Sequence, residues 1–155
     1  MSRAFVREPE GGEAFEDLPD RPVSPHNLVT PSGLAQMDER IEDLNRRLAR
    51  GQAAGDKAEI ARVSRDLRYW THRRIAAEVA PPPADASHVR FGSKVTFERD
   101  DKRRQTYRIV GEDEADPAKG SLSYVSPLAQ ALMGKEIGDV IPVGGGEAEI
   151  VEIGA

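Results

Sequence analysis

Two carboxylates three residues apart, Asp56 and Glu59, stand in the stretch Gly51-Gln-Ala-Ala-Gly55-Asp56-Lys57-Ala58-Glu59, which has no large apolar side chain. On a helix that spacing puts both acids on one face. Two chemistries fit. Aspartate before a helix with glutamate three positions on is a capping-box pattern, whose acids satisfy orphan backbone N–H groups. The same pair can present oxygen ligands to a hard cation such as Mg²⁺. Two carboxylates hold that ion weakly, because it wants six oxygens and takes the rest from water or a partner's phosphates. A cap fixes the geometry a ligand pair needs, so the two readings are compatible.

Basic residues surround the pair. Between Leu44 and Arg74 nine basic residues face three acidic ones, a local +6 inside a chain of net charge -5. Arg46, Arg47, Arg50, Lys57, Arg62 and Arg65 lie nearest the acids and form a candidate RNA-binding patch suited to a phosphate backbone. A solvated helical face is the ordinary reading of such residues, although faces built for solubility usually mix signs.

The elements that position these residues follow from apolar spacing. Leu34, Met37, Ile41, Leu44 and Leu48 step by three and four, an a/d seam on one helix face. The stepping resumes at Ile60, Val63, Leu67 and Trp70 and loosens at Ile75 and Val79. Two seams around a Gly-flanked break predict an antiparallel helical hairpin over residues 30–80, with Asp56 and Glu59 at its tip. Thr30-Pro31 opens the first arm as N-cap and first helical residue. Each arm is then roughly 20 residues, or about 30 Å. Pro81-Pro82-Pro83 cannot continue a helix, so 81–88 reads as a stiff linker. Residues 1–29 read as a disordered, mildly acidic tail in which Phe5, Val6 and Phe15 could form a short docking segment.

From Val89 the period becomes two. Val95 and Phe97 alternate with polar residues, Asp100-Asp101-Lys102 turns the chain, and Tyr107 and Ile109 return. Asp116-Pro117 to Gly120 reads as a loop, and Leu122 and Tyr124 mark a third strand. Ser126-Pro127 caps a short helix that Gly134 ends. Strands around Val140 to Val143 and Ala148 to Ile153 flank Gly144-Gly145-Gly146. The prediction is an α+β chain: a helical hairpin, then a small, mainly antiparallel sheet domain over 89–155 with one short helix on a face.

Composition excludes several classes. Without cysteine there is no disulfide, thiolate zinc site or cysteine nucleophile. No apolar run approaches the roughly 20 residues a bilayer span needs, so no membrane association and a cytoplasmic location are expected. Asp113-Glu114-Ala115-Asp116 spells a helicase signature, but no phosphate loop accompanies it. His26, His72 and His88 lack ligand spacing, and Tyr69 and Trp70 suit packing at the hairpin base.

The segments Arg108-Ile-Val-Gly-Glu-Asp-Glu-Ala-Asp116, Ser123-Tyr-Val-Ser-Pro-Leu-Ala-Gln-Ala-Leu-Met-Gly-Lys135, Gly138-Asp139 and Gly145-Gly146-Glu147 resemble the C-terminal domain of the GreA/GreB transcript-cleavage factors. The likeness covers about 90–154 closely and 30–154 more weakly; Arg68-Tyr69-Trp70-Thr71 is similar to the hairpin base of GreB. The resemblance implies an FKBP-like sheet domain without isomerase activity, docked at the outer rim of the RNA polymerase secondary channel. The hairpin would reach through the channel to the RNA 3′ end. There Asp56 and Glu59, as catalytic and metal residues, would help hold a second Mg²⁺ so that the polymerase cuts its own backtracked RNA. The chain would be a monomeric cofactor of that nuclease activity, not an enzyme alone. The family tip reads Gly-Asp-x-x-Glu-Asn-Ala, and Gly55-Asp56-Lys57-Ala58-Glu59-Ile60-Ala61 keeps the Gly, both acids and the Ala. Ile60 replaces the Asn, and Val63 stands near the place of a Tyr. Each arm is also about ten residues short of a typical Gre hairpin, a deficit of about 15 Å. The alternative is therefore a regulator of Rnk or anti-cleavage type, which binds the channel without stimulating cleavage. DksA-like channel binders match less well, since many carry a cysteine zinc finger. A free-standing binding module is the remaining class.

Overall fold

The computed structural model describes residues 18–155, in two compact units. Phe5, Val6 and Phe15 lie outside the described residues.

The first unit comprises residues 18–25 and Met37–Ile75. Its helices are α1, Pro31–Ala54, and α2, Lys57–Ile75, about 36 and 28 Å long at 1.5 Å per residue. They run antiparallel. Asp38, early in α1, pairs with Arg74 at the end of α2 at 2.8 Å, and Gly51 lies against Ile60. Met37, Leu44, Ala61 and Val63 are buried between the arms, while Leu34, Ile41, Leu48, Ile60, Leu67 and Trp70 of the predicted seam are half-buried.

The loosened end of that seam is not helix. Ile75 is the last residue of α2 and is exposed, and Val79 belongs to a strand. Residues 18–25 also depart from a free tail, because they lie along α2. Asp20 pairs with Arg68, Arg21 with Asp66 at 3.6 Å, and the Arg21 guanidinium sits 3.7 Å above the Tyr69 ring. The buried Arg73 donates to the Ser24 carbonyl. These contacts are polar and aperiodic, which is why apolar spacing does not announce them.

The second unit comprises His26–Gln36 and Ala76–Ala155. Two short strands, β1, Asn27–Val29, and β2, Ala77–Val79, pair in parallel; the tail reading of 1–29 fails at β1, whose Asn27 and Val29 are buried. Thr30 caps the start of α1, its hydroxyl accepting from Gly33 N–H at 2.9 Å. Glu114 accepts from Thr30 N–H at 3.0 Å and from the Thr30 hydroxyl, so the acidic run that spells a helicase motif serves as a helix-start clamp.

A five-stranded sheet follows: β3, Lys94–Arg99; β4, Arg104–Val110; β5, Ser121–Ser123; β6, Val140–Val143; and β7, Gly146–Gly154. The order is β5-β4-β3-β7-β6. All pairs are antiparallel except β4 with β5, which run parallel; the connection between them contains a 3-10 turn at Pro117–Lys119 where a plain loop was expected. Helix α3, Pro127–Leu132, is capped by Ser126 as the sequence indicates. It lays Ala129 and Leu132 on a core of Val95, Phe97, Ile109, Leu122, Ile141 and Ile150. This is the α+β, FKBP-like arrangement anticipated from the sequence.

Candidate functional site at the hairpin tip

The tip is a two-residue link built by local rules. Gly55, at φ +65°, ends α1 in the left-handed region that glycine adopts without a Cβ penalty. Its N–H bonds to the Gln52 carbonyl and Asp56 N–H to the Gly51 carbonyl, the paired bonds of a Schellman motif. Asp56 then caps α2, one carboxylate oxygen accepting from Glu59 N–H at 3.1 Å. The capping half of the sequence reading therefore holds for Asp56.

Glu59 does something else. One of its oxygens, Oε1, accepts from Arg47 of the opposite arm, through Nη2 at 2.8 Å and Nε at 3.2 Å. Its other oxygen accepts from Arg62, one turn along α2, at 3.2 Å. The Arg47 hydrogen bond, followed by that of Arg62, holds the Glu59 carboxyl below the ordinary glutamate pKa, and Glu59 in turn raises Arg47. Spacing alone does not announce the cross-arm pair: residue 47 lies more than twice as far from the Gly55-Asp56 link as residue 59, and the long Arg47 side chain reaches along the arm to meet it.

The expected basic patch is only partly assembled. Arg47 and Arg50 line a cleft of about 410 Å³ with Gly51, Ala54, Asp56 and Glu59, and Arg62 joins it through Glu59. Lys57 lines an adjoining hollow with Gly55, Ile60, Ala61 and Ser64. Arg46 turns to Asp43 at 3.9 Å and Arg65 to Asp66 at 3.9 Å. Farther along α2, Arg68, Arg73 and Arg74 are engaged with Asp20, Ser24 and Asp38. Among the described residues only Arg50 and Lys57 of the predicted patch have no ion-pair partner. A one-sign stripe is thus reduced to a small cationic tip.

The donor set does not fit a resident Mg²⁺. No group of three or more His, Cys, Asp or Glu side chains gathers among the described residues. Of the two tip carboxylates, Glu59 has both oxygens committed to guanidinium groups, which leaves Asp56 alone facing outward. No helix among the described residues is long and apolar enough to cross a membrane.

The family described as transcription elongation factor GreA/GreB, C-terminal, matches residues 84–154. Transcription elongation factor GreA of Paracoccus denitrificans is 35% identical over 148 residues, covering 81% of this chain and 95% of the relative. GreB of Xanthomonas axonopodis pv. citri is 35% identical over 132 residues, covering 72% and 79%. The crystal structure of GreA factor homolog 1 (Gfh1) from Thermus thermophilus aligns at 20% identity with a TM-score of 0.41, over 84% of this chain and 99% of that one. This chain belongs to the GreA/GreB family of transcription elongation factors. The 148 positions aligned with the Paracoccus relative take up 81% of this chain, about 126 residues, so that relative carries roughly twenty residues this chain lacks. The Xanthomonas alignment leaves a similar difference. Two arms each shorter by about ten residues would account for it.

Proposed function

We propose that this chain is a transcription factor that binds RNA polymerase at its secondary channel and regulates elongation by occupying it, without stimulating RNA cleavage. The observation that carries the reading is the pairing of both Glu59 oxygens with Arg47 and Arg62. A tip that neutralises its own acid offers the reaction little beyond Asp56. Placed in the two arms, the roughly twenty residues that the Paracoccus relative has in excess would support the same conclusion, because a shorter hairpin stops farther from the catalytic centre. What the tip retains is positive charge. Arg50 and Lys57 would meet the phosphates of RNA or incoming substrate in the channel, and that attraction weakens as salt screens it. The sheet domain would supply the docking surface. The chain carries out no chemistry of its own in this scheme.

The cleavage-stimulating reading keeps one observation in its favour: Gly55, Asp56 and Glu59 stand at the family's tip spacing, and Asp56 is exposed. It requires Glu59 not only to leave both arginines inside the polymerase but then to gather a cation with Asp56. Competition tests the proposal. With backtracked complexes of the cognate polymerase, rising concentrations of this chain should suppress cleavage stimulated by that organism's full-length GreA, and more GreA should restore it. No suppression at any ratio would remove the channel from the account.

A further inference from the structure

Charge at the tip is out of balance. Arg47, Arg50, Lys57 and Arg62 stand against Asp56 and Glu59, with Asp43 and Asp66 acting on Arg47 from farther off, and Glu59 is shared between two guanidinium groups. The Arg47 contact is also geometrically incomplete. Its Nε and Nη2 both point at the single oxygen Oε1, whereas a guanidinium fork is best matched by two oxygens of one anion, as a carboxylate held side-on or a phosphate supplies them. The side chains of Arg47 and Arg62 are 34% and 54% exposed and that of Glu59 is 25% exposed, so the cluster lies where an anion from solution can reach it. Exposed ion pairs are weak enough to exchange. Arg50, which has no ion-pair partner among the described residues, lines the same cleft.

We propose that Glu59 is a built-in competitor for a phosphate site. Arg47 and Arg62 hold either the Glu59 carboxylate or a phosphodiester group of single-stranded RNA, with Arg50 adding to the second state. The acid that resembles a metal ligand is then a gate on the basic cleft, and RNA binding and Glu59 release are one event, which frees a carboxylate beside Asp56 with no third acid among the described residues to gather a cation. Its choice of RNA rests on the polymerase reading above, but the site itself does not need the polymerase.

The test is a fluorescence-anisotropy titration of a short labelled single-stranded RNA with the full chain at several salt concentrations. Glu59→Gln keeps a capping-box side chain and frees both arginines. It should tighten binding several-fold at low salt and steepen the salt dependence by about 0.7 log units per log unit of salt for each additional phosphate neutralised. Asp56→Asn removes the same charge and keeps the cap but frees no arginine, so its effect should be less than half as large. In an Arg47→Gln, Arg62→Gln background the gain from Glu59→Gln should largely vanish. Equal effects of Asp56→Asn and Glu59→Gln would reduce the cluster to simple charge and overturn the gate. So would a gain that survives loss of both arginines, or RNA binding too weak to detect in every variant. Because no polymerase is present, a chain that fails to bind polymerase can still pass, and one that binds polymerase can still fail.

Discussion

Gly111 tests how tightly the second unit is assembled. It follows β4 and is buried, and a Cβ placed on it would lie 2.6 Å from the Leu28 carbonyl oxygen and 3.5 Å from Val29 Cα. The obstacle is backbone. Leu28 is paired with Glu78 in the β1–β2 ladder, and Val29 accepts from Ala80 N–H at 3.0 Å. Relief therefore requires moving a hydrogen-bonded strand. Overpacking of this kind costs about 1–3 kcal/mol, and a backbone obstacle belongs at the upper end. For a chain of this size each kcal/mol lowers Tm by about 2–4 °C, so Gly111→Ala should melt roughly 5–10 °C early. Gly33→Ala is the informative contrast. Its Cβ would sit 2.0 Å from Glu114 Oε2, a nominally worse clash, but with the end of a flexible side chain. Glu114 can swing away, losing two hydrogen bonds to Thr30 at about 1.5–3 kcal/mol each for bonds to a charged group. Alanine in a helix recovers up to about 1 kcal/mol over glycine, and the Thr30 hydroxyl still caps the backbone N–H at position 33. The net loss should be about 2–5 kcal/mol, as large as at Gly111 or larger, but arising from lost hydrogen bonds and not from a moved strand. Thermal melts of the full chain followed by circular dichroism decide the matter. A Gly111→Ala melt indistinguishable from wild type would refute the reasoning.

Two further outcomes follow from the hairpin. Carboxyl-detected NMR should find Glu59 titrating below the ordinary glutamate range, and Arg47→Gln should move it back up; a wild-type value within or above that range would contradict the ion pairs. Because the folded-state value is the lowered one, any stability the contact contributes is present above the ordinary carboxylate range and is lost as pH falls through that lowered value. Leu44 is fully buried between the arms, so Leu44→Ala should cost about 2–5 kcal/mol in denaturant unfolding, and a loss under about 1 kcal/mol would mean the arms do not pack as described.

Much of this fold was legible because burial imposes a period. Met37, Leu44 and Val63 announce the hairpin, and Val95, Phe97, Ile109, Ile141 and Ile150 announce the sheet. Caps were legible too, since Thr30, Asp56 and Ser126 each precede a helix and each accepts the expected backbone N–H. What escaped is held by polar contacts between residues distant in sequence. β1 and β2 are three residues long, too short to display alternation, and residues 18–25 meet α2 mainly through charge. At the tip, spacing identified Asp56 and Glu59 but not their partners. Arg47 looked like one cation among nine until the antiparallel fold set it against Glu59.

The most direct measurement follows release of short 3′ RNA fragments from backtracked elongation complexes of the cognate polymerase, with wild-type chain and with the Asp56→Ala, Glu59→Ala double variant. Our account predicts that both bind the complex and that neither raises cleavage above the polymerase's own rate. Stimulation by the wild type that disappears in the double variant would contradict it, and would make Asp56 and Glu59 working ligands despite the arginines that hold Glu59 in the free protein.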